Sequence, residues 1–77
     1  MTAQLGHVYV KDGERKIVVR CGGTDAQPLL IALSFVDDDN VEMPTNFNGM
    51  SPVDLGKELE GWTDIGELKL TRTTEEP

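Results

Sequence analysis

The feature that most constrains the fold is the dipeptide Asp12-Gly13, which stands between two β-rich runs at residues 6–11 and 14–21. An Asp-Gly pair in this setting is typical of a two-residue type I′ turn, because both central residues need a positive φ. A turn of that length fixes the register of the hairpin. The predicted opposite pairs are Lys11 with Glu14, Val10 with Arg15, Tyr9 with Lys16, Val8 with Ile17 and His7 with Val18.

This register divides the hairpin into two faces, because side chains alternate along a strand. One face is aliphatic, with Arg15 at the end near the turn, and we predict that it packs on the core. Its members are Val8, Val10, Ile17, Val19 and Cys21. The other face is polar, basic and aromatic, and we predict that it is open to solvent. Its members are His7, Tyr9, Lys11, Glu14, Lys16, Val18 and Arg20.

Residues 26–36 fit either a strand or a helix. As a strand they carry apolar side chains on both faces, which fits a central strand covered on both sides. As a helix they would begin with a capping box of Thr24 and Gln27. Pro28 would then stand where a free N–H is needed, and apolar side chains would surround the helix. We favour the strand; a helix would give an element order that resembles a ubiquitin-like β-grasp in topology only.

A helix is predicted over residues 51–60, with Ser51 as its N-cap, Pro52 at the first position and Asp54 at the third. Its buried stripe would be Leu55, Leu59 and Trp62. Gly56 implies close packing against the sheet, and Gly61 is a plausible stop.

The remaining elements complete a small α+β fold. Residues 41–43 are a candidate short strand, and residues 67–72 read as a strand with Leu68 and Leu70 facing inward. The predicted architecture is a three- to four-stranded, mainly antiparallel sheet with an N-terminal hairpin and one helix packed on one face. Residues 1–72 form the single compact domain, and residues 73–77 form a flexible acidic tail.

Charge is segregated along this chain of net charge −7. Residues 1–20 hold four basic and two acidic residues, whereas residues 21–77 hold three basic and twelve acidic ones. An acidic body repels phosphate, so the composition argues against direct nucleic-acid binding and against anionic membrane surfaces. It favours a protein partner instead, including one whose basic groove would accept an acidic strip that imitates a nucleic-acid backbone.

The sequence predicts no catalytic site, no metal site and no cofactor. His7 is the single histidine, and we expect a surface position without a nearby acid except Glu14. The acids from Asp37 onward fail the spacing of a calcium loop. Cys21 is the single cysteine, and in the absence of a signal-peptide pattern we expect a small buried thiol in a reducing cytoplasm.

The predicted function is therefore that of a small non-enzymatic protein-binding module, an adaptor or an inhibitor. It would act through the hairpin face or the acidic surface. The candidate partner-binding residues are His7, Tyr9, Lys16, Arg20, Asp37, Asp38 and Asp39. The alternative is a small structural subunit of a larger assembly, such as a viral particle, and the oligomeric state is left open.

Overall fold

The computed structural model describes residues 1–68 and shows a small α+β fold, as predicted. A four-stranded antiparallel sheet has the order β3-β2-β1-β4, and a single short helix, α1, packs on it. The bounds of these elements in chain order are β1 His7–Lys11, β2 Glu14–Gly23, β3 Pro28–Ser34, α1 Pro52–Glu58 and β4 Thr63–Glu67.

The hairpin β1–β2 has the predicted turn. Asp12 and Gly13 have φ angles of 52° and 84°, as a type I′ turn requires. The four predicted pairs nearest the turn, from Lys11–Glu14 to Val8–Ile17, are confirmed. Beyond them the predicted partner of Val18 is replaced, because the Gly6 N–H donates to the Val18 carbonyl oxygen at 2.8 Å.

Residues 28–34 form strand β3, so the strand interpretation is confirmed and the condition for a β-grasp order is not met. The predicted central place of this strand is wrong: β3 is an edge strand, and β2 and β1 lie in the middle of the sheet. Two single bridges continue beyond it, Leu30 with Met50 and Phe35 with Val41. The second is all that the candidate strand at residues 41–43 becomes.

Helix α1 begins as predicted. The Ser51 hydroxyl oxygen accepts a hydrogen bond from the Asp54 N–H at 3.1 Å, and Pro52 opens the helix. Leu55 and Leu59 are buried. Gly56 does allow a close approach, but its neighbour is the N-terminal segment and not the sheet. A Cβ at Gly56 would lie 2.6 Å from the Met1 carbonyl carbon.

The last strand lies earlier than predicted. β4 spans Thr63–Glu67, whereas the prediction was residues 67–72, of which 69–72 fall outside the described residues, as do Leu70 and the predicted tail. Leu68 was expected to face inward, but it is 40% exposed. A bulge between His7 and Tyr9 adjusts the pairing of β1 with β4, and Gly66 has a φ of 100°.

The helix covers the opposite face of the hairpin from the one predicted. The core cluster joins Tyr9 and Val18 of the sheet to Leu30, and these to Leu55 and Leu59 near the helix. Tyr9 and Val18 are 0% exposed. The predicted open face is therefore the helix-covered face. Alternation then places Val8, Val10, Ile17 and Val19 on the side away from α1.

Candidate functional site

The side of the sheet away from α1 is aliphatic across its central strands. The pairing aligns its side chains in rows that cross the strands. The middle row is Val8, Ile17 and Leu33; a second row is Val19 and Ile31. We call this surface, together with Val10, the aliphatic face.

The aliphatic face is partly accessible to solvent. Val10, Ile17, Val19 and Ile31 are half-buried, whereas Val8 and Leu33 are 4% and 6% exposed. Alternation from Asp64 places Ile65 at the β4 side of this face, and Ile65 is 59% exposed. Within residues 1–68, the one helix contacts β3 from the other side.

Arg15 marks one end of the aliphatic face. Its guanidinium carbon lies 4.6 Å from the centre of the Phe35 ring, which is a cation–π contact. Its Nη2 donates to the Asp37 carbonyl oxygen at 3.3 Å and to the Asp38 carboxylate at 3.2 Å. The pairing of β1, β2 and β3 places no acidic residue on the face itself, so its charge is that of Arg15 alone.

Tyr9 is not available to a partner, which corrects the prediction that it is exposed. Its ring lies in the core, and its hydroxyl oxygen accepts a hydrogen bond from the Gln4 N–H at 3.0 Å. This hydrogen bond satisfies the polar end of a fully buried side chain. Lys16, on the same face, is half-buried with its Nζ 5.5 Å from the centre of the Trp62 ring.

His7 has a carboxylate neighbour that the sequence did not indicate. Its Nδ1 lies 2.9 Å from Asp64 Oδ2, and because a carboxylate accepts but does not donate, Nδ1 carries the hydrogen. The Gly66 N–H donates to Asp64 Oδ1 at 2.8 Å. This backbone hydrogen bond, followed by that from His7, lowers the pKa of Asp64 below its ordinary value. The expected isolation of His7 is wrong because β4 brings Asp64 beside it.

Arg20 organises the β2–β3 loop. Its guanidinium donates to the carbonyl oxygens of Gly22 and Gly23, both at 3.0 Å, and to the Asp25 carboxylate at 2.8 Å. These bonds use donors that a partner would otherwise receive. Binding by Arg20 stays a prediction, and its visible role is to hold the loop.

The three adjacent aspartates differ in what they contact. Asp37 closes its own loop, accepting hydrogen bonds from the Asn40 side chain at 3.0 Å and from the Asp39 N–H at 2.8 Å. These two contacts, in that order, lower the pKa of Asp37. Asp38 pairs with Arg15, and its side chain is 97% exposed. The loop lies at the hairpin-turn end of the sheet, because the Phe35 N–H bonds to the Arg15 carbonyl oxygen.

Cys21 is exposed, so the predicted buried thiol is wrong. It stands at a bulge where Arg20 and Gly22 of β2 pair with successive residues of β3, and the extra residue leaves the regular ladder. In the part of the chain that the structure describes, no three His, Cys, Asp or Glu side chains form a group that could hold a metal ion.

No family model, curated protein or solved structure matches this chain. Among the described residues, none of the helical segments has both the length and the apolar character needed to cross a membrane.

The structure thus separates the predicted site residues. His7, Lys16 and Tyr9 belong to the helix-covered face, Arg20 to a loop at one end of the sheet and Asp37–Asp39 to the other end. The aliphatic face was not predicted as a binding surface. Its signal was present in the aliphatic alternation of β1 and β2, which we assigned to the core.

Proposed function

We propose that this chain is a small acidic, non-enzymatic protein-binding module, an adaptor or an inhibitor, and that its aliphatic face contacts the partner. The observation that carries the proposal is the position of that face on the side of the sheet away from α1. A contiguous apolar surface bordered by polar residues is typical of a protein interaction site.

The charges of the molecule support this surface over the hairpin face that the sequence suggested. Tyr9 is enclosed, Arg20 holds its own loop and His7 pairs with Asp64. The aliphatic face, in contrast, presents side chains that make no hydrogen bonds and carries no carboxylate on β1, β2 or β3. An approaching protein therefore has little desolvation cost to overcome at its centre.

The acidic end of the sheet supports a second candidate within the same class of function. The turn and the loop after β3 bring together Asp12, Glu14, Asp37, Asp38 and Asp39. A protein with a basic groove would be attracted to this end, as it is to a nucleic-acid backbone. A structural subunit of a larger assembly would use the aliphatic face in the same way, with a neighbouring subunit as its partner.

Photo-crosslinking in the cells that make the protein tests the proposal. A photoreactive residue is placed at Val19, on the aliphatic face, or at Val53, a 53% exposed valine of α1 that serves as the matched control. We expect a discrete adduct with a polypeptide from position 19 and none from position 53. Equal labelling at both positions, or none, would overturn the proposal.

Two further variants separate the candidates. His7→Ala and Cys21→Ala should leave the adduct from position 19 unchanged, because neither side chain belongs to the proposed contact. A photoreactive residue at Asp38 probes the acidic end. An adduct from position 38 in the absence of one from position 19 would contradict docking on the aliphatic face and favour the basic-groove partner.

A further inference from the structure

We propose that the partner seated on the aliphatic face is a second copy of this chain, and that the two sheets pack face to face with their strands in opposite directions. The inference rests on the proposed function, because it uses the same surface, and it adds the identity of the occupant. Three observations carry it: the shape of the face, its charge and the place of the acids around it.

The shape suits sheet-on-sheet packing. The face consists of rows of β-branched and leucine side chains on adjacent strands, and two such surfaces interdigitate at a separation of about 10 Å. Strand spacing and rise give it a planar footprint on the order of 400 Å² per copy. Side-chain relief makes the accessible area larger than the planar footprint. An interface of this size belongs with the smaller specific contacts, so we expect a concentration-dependent dimer in the micromolar range.

The charge of the chain confines self-association to this face. Each copy carries a net charge of −7, so most approaches of two copies are repulsive. Among the residues of β1, β2 and β3 on the aliphatic face the single charge is that of Arg15, which Asp38 already accompanies. Two copies can therefore meet through this surface without placing carboxylates in the contact.

The place of the acids selects the antiparallel arrangement. Asp12, Glu14 and the 37–39 loop gather at the hairpin-turn end of the sheet. In a parallel arrangement these ends would meet across the two-fold axis. In the antiparallel arrangement they lie at opposite ends of a sheet about 20 Å long, which exceeds the Debye length of about 8 Å at physiological ionic strength.

The antiparallel arrangement makes a specific prediction about proximity. The middle row, with Ile17, lies near the two-fold axis and meets itself. The row of Val10 meets the row of Val19 of the other copy. In the parallel arrangement, each row would meet its own counterpart.

The first experiment measures mass by sedimentation equilibrium on the full chain across micromolar to millimolar concentrations. We expect the mass to rise from the 8.5 kDa of the chain to twice that value, with tighter association at higher salt because salt screens the repulsion. Val19→Lys should weaken association at least tenfold. Val53→Lys makes the same change on the exposed surface of α1 and should leave association unchanged.

The second experiment uses a short bismaleimide on chains in which Cys21 is replaced by serine. Ile17→Cys should cross-link with itself. Val10→Cys should cross-link with Val19→Cys in a mixture and not with itself. Self-cross-linking of Val10→Cys in preference to the mixed product would overturn the antiparallel arrangement. Because this assay needs no charged substitution, it keeps the proposal testable if Val19→Lys does not fold.

A mass of one chain at every concentration would overturn the dimer. If position 19 still gives an adduct with a different polypeptide, the proposed function stands without it. If position 19 gives none and Leu70→Asp lowers the melting temperature of the monomer, the occupant is the chain's own residues 69–77, and both proposals fail.

Discussion

The carboxylate of Asp64 lies 2.9 Å from His7 Nδ1, although 57 positions separate the two residues in the sequence. The pairing of β4 with β1 creates this contact. The Gly66 N–H holds the same carboxylate from the other side, at 2.8 Å. The pair therefore depends on the tertiary fold and offers a direct measure of whether β4 is docked.

The acid dependence of stability follows from this contact. The Gly66 N–H and His7 hold the pKa of Asp64 below its ordinary value of 3.8. A depressed pKa in the folded state stabilises the fold above the unfolded value, and the contribution is lost as the pH falls through the folded value. We expect Asp64→Asn to flatten the decline of the urea midpoint between pH 5 and pH 2. Asp39→Asn, an exposed carboxylate elsewhere, is the control, and an equal flattening by both would contradict the assignment.

Tyr9 is expected to be a stability residue. Tyr9→Ala removes a fully buried ring, and we expect a loss of about 3–5 kcal/mol, as for other large core aromatics. Lys11→Ala, two residues along the same strand and exposed, should change the free energy of unfolding by less than about 0.5 kcal/mol. Urea denaturation measures both. A small effect at Tyr9 would restore the open-face prediction.

Leu59 tests whether the end of α1 is docked. Its side chain is 3% exposed within the core cluster, so Leu59→Ala should cost about 2–5 kcal/mol. The control is Val53→Ala on the exposed surface of the helix. Thermal or urea unfolding that gives equal, small effects for the two variants would show that the helix does not pack as described.

Gly56 sets two effects of opposite sign against each other. Alanine in a helix is ordinarily more stable than glycine by about 1 kcal/mol. Here its Cβ would overlap the Met1 carbonyl group and lie 3.1 Å from the Ala3 nitrogen, so we expect Gly56→Ala to destabilise the fold. Hydrogen exchange of the Ala3 N–H, which donates to the Pro52 carbonyl oxygen at 2.9 Å, should also become faster. A gain in stability would mean that the N-terminal segment yields easily; Lys57→Ala is the helix control.

Local chemistry made the hairpin and the helix predictable. Asp12-Gly13 specifies a turn, and the turn specifies the pairing; Ser51 and Pro52 specify a helix start. The side of the sheet that α1 covers is a different matter, because a period of two separates the faces without saying which one is covered. The side with more valines was assigned to the core, yet Tyr9 supplies the larger buried surface and Gln4 satisfies its hydroxyl group.

Strand β4 was misplaced because its sequence carries little strand propensity. Asp64, Gly66 and Glu67 are residue types depleted in strands, and the alternation of Leu68 and Leu70 gave a stronger pattern further along. The backbone pairing with β1, including its bulge, outweighs these preferences. The His7–Asp64 contact was unpredictable for the same reason, since it follows from that pairing alone.

The bridges beyond β3 have a consequence for how the molecule behaves when crowded. Leu30 exchanges two backbone hydrogen bonds with Met50, at 2.7 and 2.8 Å, and the Glu42 N–H caps the Ser34 carbonyl oxygen at 2.7 Å. The connection to α1 thereby occupies both ends of an edge that would otherwise template further strands. Uncontrolled fibre growth through this side of the sheet is blocked by the chain itself, which keeps an apolar, four-stranded sheet safe to produce at high concentration.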